Sequence, residues 1–149
     1  MRRSILITLV LVACLGALRC KPRTSGLEKS TGAAEEAATI LNLKAIAQAE
    51  TAYSLSNSGD YGTLEQLVAG GYLDTRFGGS KPRLRSYVFT VNATSRSSGG
   101  GESSYTCNAD PDVTAIFAGR HFYLDSSSTQ IHVHATRPAT ANDDPLQPY

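Results

Sequence analysis

Hydrophobic and polar positions change their period along this chain, and each change predicts an element. An almost unbroken apolar run from Ile5 to Leu18 comes first, and polar sequence begins at Arg19. From about Ala33 the pattern becomes helical. Ala33, Ala34, Glu35, Glu36, Ala37 and Ala38 are strong helix formers, with acids in the first turns where they complement the helix dipole. Leu43, Ile46, Ala47 and Tyr53 follow at three- and four-residue spacings with Ile40 at the edge, so this helix should lay one apolar stripe on a sheet. Leu43, Ile46 and Tyr53 are therefore the expected helix-to-sheet core. Glu50 falls inside that stripe. It reads as a partly exposed edge position, or as an acceptor for a buried backbone group or a tyrosine hydroxyl. Ser54, Ser56, Asn57 and Ser58 are poor interior residues, which predicts a helix end before Gly59.

A shorter helix is expected over Leu64 to Ala69, with Thr63 capping it, Gln66 reaching back, and Leu64, Leu67 and Val68 as its apolar face. Gly70 and Gly71 end it, and Gly78, Gly79 and Pro82 make the next stretch a loop. After Arg85 the period shortens to two. Tyr87, Phe89 and Val91 share one face of a first strand, and Tyr105, Cys107 and Ala109 form the inward face of a second, across a glycine-rich hairpin connection. Arg120 to Leu124 reads as a third strand, Asp125 to Ser128 as a turn, and Thr129 to His134 as a fourth. The expected fold class is thus α+β, an N-terminal helix packed on a four-stranded antiparallel sheet.

The first apolar run changes the picture from a free domain to an exported one. Arg2 and Arg3 precede about fourteen apolar residues, short of the roughly 20 needed to cross a bilayer core, which is the layout of an export signal. Leu11-Val12-Ala13-Cys14 is similar to a bacterial lipoprotein processing box, making Cys14 a candidate for lipidation; an uncleaved anchor and ordinary cleavage are the alternatives. Lys21 to Thr31 carries Pro22, Gly26 and several hydroxyl residues and reads as a tether. The expected organisation is an export or lipoprotein signal or anchor over 1–20, a linker over 21–32, and one domain over 33–149.

Charge and chemistry narrow the function classes. The chain holds fourteen basic and thirteen acidic residues, but Arg2, Arg3 and Arg19 belong to the leader, so the rest carries eleven against thirteen, a net charge of −2. Such a domain has no electrostatic case for binding nucleic acid, and Lys81, Arg83 and Arg85 read as the solvated start of a strand. Of three cysteines, Cys20 and Cys107 form a candidate disulfide pair if Cys14 is acylated. His132 and His134 lie two apart on one strand face, where His121 or Asp125 from the neighbouring strand could join them; these histidines are weak metal candidates, without HxxxH, CxxC or an adjacent glutamate base. Asp110 and Asp112, or Asp143 and Asp144, are too few oxygens for calcium. No nucleophile elbow and no phosphate-cradling glycine loop is present, so no catalytic residue, no cofactor and no enzymatic activity is expected.

Ile40 to Tyr53, Asp60 to Asp74, Tyr87-Val88-Phe89-Thr90 and Arg120 to Asp125 together resemble the globular half of type IV pilins and of the pseudopilins of type II secretion, over roughly Ala33 to Tyr149. That resemblance implies a helix packed on an antiparallel sheet, a variable loop between them, and a C-terminal surface feature. It also implies a structural or assembly role at the bacterial cell envelope. The head would be anchored at the inner or outer membrane through the N-terminal segment or a lipid. It would lie in the periplasm or outside the cell, with envelope proteins or other pilin-like subunits as partners. The prepilin hallmarks are missing: no Gly-Phe junction precedes the apolar run, and no acidic residue lies between Met1 and Gly26 where cleavage and N-methylation would need one. The alternative expectation is an envelope lipoprotein that uses the same head as a protein- or ligand-binding module.

Overall fold

The computed structural model describes residues 24–96, 101–114 and 119–147. The first helix, α1, runs over Thr24–Ser56, 33 residues, and so begins well before the expected Ala33. The alanine-rich turns from Ala33 meet the cost of nucleation, after which extending the helix through Gly32 and Gly26 costs about 1 kcal/mol for each glycine. The residues from Thr24 to Gly32, read from sequence as linker, are helical. The helix closes where Ser58 and Gly59 take positive φ angles of 56° and 88°. The Gly59 N–H then donates to the Ser54 carbonyl at 2.8 Å, and the Asn57 side chain to the Tyr53 carbonyl at 2.8 Å.

A short helix, α2, covers Leu64–Ala69 and starts with a complete capping box: Gln66 N–H donates to Thr63 Oγ1, and Thr63 N–H to Gln66 Oε1. Past it, Gly71 at φ 74° turns the chain so that the N–H groups of Tyr72 and Leu73 both reach the Leu67 carbonyl. Leu73 is thereby buried, and a single 3-10 turn at Thr75–Phe77 sets Phe77 beside Phe89, ring to ring at 6.1 Å.

The sheet has five strands where four were expected: β1 (Arg83–Leu84), β2 (Tyr87–Thr94), β3 (Ser104–Pro111), β4 (His121–Asp125) and β5 (Ser128–His134), adjacent in chain order and all antiparallel. The additional strand is β1. Two residues are too short to show alternation, and the glycines and proline before it signal a loop. Its tight turn to β2 places Arg85 at φ 56°, a left-handed position normally advertised by Gly or Asn. The turn from β4 to β5 is held by Asp125, whose Oδ1 accepts from the N–H groups of Ser127 and Ser128 and from the Ser127 hydroxyl.

Register decides what meets α1. Val91 pairs with Cys107, Phe89 with Ala109, Cys107 with Leu124 and Ala109 with Phe122. Phe89, Cys107, Ala109, Phe122 and Leu124 thus share one face, buried under Leu43, Ile46 and Ala49 of α1 and Leu64 and Leu67 of α2. Among the side chains described on α1, Thr39 is the first that is buried. At 33 residues the helix is about 50 Å long, whereas the longest strands, eight residues, span about 27 Å, so α1 overhangs the sheet at its N-terminal end. Where it leaves the head, Arg85 pairs with Glu35 at 3.0 Å and Arg120 with Glu36 at 2.8 Å.

Candidate functional site

Burial gives Glu50 the most unusual environment among the described carboxylates. It sits one turn beyond Ile46 on the buried stripe of α1, is fully buried, and accepts the Gly62 N–H on Oε2 at 3.0 Å. Of the two sequence readings, the edge position is therefore wrong: the stripe does not widen at Glu50, because the chain after α1 folds back over it. Its Oε1 is buried with no protein hydrogen-bond partner among the described residues. Burial pushes the Glu50 carboxyl up to about 7, with the Gly62 bond pulling the other way. A Cβ at Gly62 would come within 3.1 Å of the Tyr53 ring, so any side chain there requires that ring to give by a few tenths of an ångström. Tyr53 itself is half-buried and packs edge-on to Tyr72 at 5.5 Å, and so braces the connection between the helices.

The segment from Asn57 to Thr63 is tied on both sides. Tyr61 N–H donates to the Ser103 hydroxyl at 3.0 Å, Arg96 N–H donates to Asp60 at 3.0 Å, and the Tyr61 ring meets Tyr105 edge-on at 4.9 Å. Between this segment and the end of β2 lies an open polar cleft of about 660 Å³, lined by Tyr53, Asp60, Tyr61, Thr63, Gln66 and Thr94 among others. A smaller groove of about 380 Å³ separates Ile40 and Lys44 of α1 from Ile131 and Leu146.

His121, His132 and His134 lie together on the sheet face turned away from α1, where His121 pairs in register with His134 and Tyr123 with His132. Each ring is used by the fold. His121 Nδ1 lies 2.6 Å from Asp110, His132 donates to the Asp143 carbonyl at 2.7 Å, and His134 Nδ1 accepts the N–H groups of Thr136 and Arg137 at 3.2 Å. Among the described residues no three His, Cys, Asp or Glu side chains are grouped to hold a metal ion. Asp125 is spent on its turn.

The C-terminal segment crosses this same face, which the sequence did not reveal. Asn108 donates to the Ala139 carbonyl at 3.0 Å, Ala139 is buried, and along the edge of β5 the Val133 N–H donates to the Asp144 carbonyl and the Leu146 N–H to the Ile131 carbonyl. Asp143 pins the crossing by taking a two-pronged contact from Arg137 and two bonds from Thr140, and the Arg137 contact holds its carboxyl well below the usual range. Two proline-bounded turns and an Asp six residues after an Arg were the only sequence signals for it.

Cys107 is fully buried in the core, with no cysteine partner among the described residues, and burial holds its thiol far above the reactive range. Cys14 and Cys20, and with them the lipidation site and half of the candidate disulfide, lie outside the described residues, as does the apolar run. Among the described residues no helix is long and apolar enough to cross a membrane. Two of the three basic residues at the start of the sheet are neutralised, Arg83 by Asp112 and Arg85 by Glu35. No protein-family model, no curated protein and no solved structure matches the chain.

Proposed function

We propose that this protein is a membrane-tethered, pilin-like structural or assembly component of the bacterial cell envelope that presents its head to other envelope proteins and performs no catalysis. The observation that carries the reading is the length of α1 relative to what the head buries. Among the side chains described on α1 the first buried one is Thr39, and in the chain the helix extends fifteen residues before it, Thr24 to Ala38, on the sequence side that carries the apolar run at residues 5–18. A helix that outruns its own domain in the direction of an export leader is a stalk by its dimensions. The non-catalytic half of the reading is supported by the way the best chemical candidates are occupied: His121 is bound to Asp110, and His132, His134, Asp125 and Asp143 are bound into turns and the C-terminal crossing.

The test is to express the full chain with a C-terminal tag in a bacterium, treat spheroplasts with protease, and determine the intact mass of the membrane-bound form. Retention in the membrane fraction with the tag exposed supports the proposal, and a mass that starts at Cys14 with added lipid identifies the tether. A tag protected inside the spheroplast overturns it, since no envelope component of this kind works on the cytoplasmic side.

A further inference from the structure

We propose that Glu50 and Gly62 form a proton-operated latch: the protonated carboxyl closes the Asn57-to-Thr63 segment onto the head, and its ionisation releases that segment and reshapes the polar cleft it walls.

The geometry gives Glu50 few ways to tolerate a charge. It is fully buried, one oxygen takes the single Gly62 N–H at 3.0 Å, and the other has no protein hydrogen-bond partner among the described residues. Among the described residues the titratable groups that face it carry no positive charge, and the Arg96 guanidinium lies instead against Gly59. From β3 they are Tyr105 and Cys107, both raised by their own burial and raised further by Glu50. From the latched segment comes Tyr61, edge-on to Tyr105, with Asp125 of the β4–β5 turn acting on the far side of Tyr105. α2 turns only Leu64 and Leu67 into the core, and none of the ion pairs among the described residues includes Glu50. An ionised Glu50 is thus a buried charge compensated by one amide dipole, which water relieves only if something moves.

The segment is what can move. Ser58 and Gly59 break the helix in left-handed conformations. Asn57 and Gly59 bond back to the end of α1 and Thr63 caps α2, but beyond the latch the segment is tied to the sheet by two single hydrogen bonds, Tyr61 to Ser103 and Arg96 to Asp60, and by the Tyr61–Tyr105 ring contact. The strands beneath are held by continuous ladders. Tyr61, Asp60 and Thr63 belong both to this segment and to the cleft wall, so opening the latch changes the cleft directly. Burial lifts the carboxyl to about 7, which sets the transition near neutrality.

The experiment is amide hydrogen exchange on the full chain in detergent micelles, corrected for the intrinsic pH dependence of exchange. Protection of Gly62 and its neighbours should fall on the order of tenfold or more between about pH 5.5 and about pH 8, while Cys107 and Ala109 in β3 stay protected. Glu50→Gln should abolish that fall. Equal protection across the range in the wild type, or an unchanged fall in Glu50→Gln, overturns the latch. Because the variant could fail to fold, the carboxyl carbon shift of Glu50 in the wild type is followed as well. A transition that tracks Gly62 protection supports the proposal, and one in the ordinary glutamate range of about 4 overturns it.

Discussion

Glu50 keeps its proton in the folded head at a pH where a free glutamate has lost it, because removing that proton would leave a charge among Leu, Phe and Tyr side chains. The folded value of about 7 lies above the ordinary 4.5, so between the two the folded state binds more protons than the unfolded one. Stability is then fully present below about 4.5, falls as pH rises through the window, and levels off above about 7. The whole change is on the order of 3 kcal/mol. Asp112 and Asp143 are shifted the other way, by the Thr114 N–H and by Arg137 respectively, so their contributions are lost only as pH falls through the acid range. Urea unfolding between about pH 5 and about pH 7.5 should therefore show wild-type stability declining with pH. The difference between wild type and Glu50→Gln should isolate the Glu50 contribution, and two parallel profiles would disprove it.

Among the elements, α1 contributes most to the core through a narrow stripe. Leu43 is fully buried, whereas its neighbour Lys44, about 100° further round the helix, is exposed. Leu43→Ala should cost about 2–5 kcal/mol, while Lys44→Ala should stay within about 0.5 kcal/mol; a loss under about 1 kcal/mol for Leu43→Ala in denaturant unfolding would mean that the helix does not organise the core. The second helix is only six residues long and depends on its cap, where the Thr63 hydroxyl and the Gln66 amide satisfy each other's backbone N–H groups. Thr63→Ala should remove about 1 kcal/mol, readable as a lower thermal midpoint, and Thr63→Ser should retain most of it.

For the whole molecule, the head and the overhanging turns of α1 are expected to be energetically separate. Among the side chains described on α1 burial starts at Thr39, and Glu35 and Glu36 tie the helix to the sheet through ion pairs with Arg85 and Arg120. A fragment beginning at Ala33 should therefore unfold within about 1 kcal/mol of the full chain, by denaturant titration of both. A larger loss would show that the earlier turns stabilise the head. At one margin the sheet ends in the two-residue β1, which pairs with Tyr87 and Val88, and at the other the C-terminal segment bridges His132 to Pro145, so each outermost element offers little unpaired backbone for edge-to-edge association.

Local patterning was enough to specify much of this arrangement. The Thr63 and Gln66 spacing located α2 to the residue, and alternation at Tyr87 and Phe89 and at Tyr105, Cys107 and Ala109 identified the faces of β2 and β3, because capping and pleat are properties of neighbours in the chain. The features that sequence did not reveal depend on residues brought together from a distance. β1 exists only because Pro82 to Leu84 folds onto β2, the C-terminal crossing only because Asn108 meets Ala139 thirty-one positions away, and Glu50 is buried only because Gly62 returns over it. Periodicity could say that Glu50 belonged to the inward stripe. Whether water reached that position was decided by the fold, since solvation of a side chain is a property of everything packed around it.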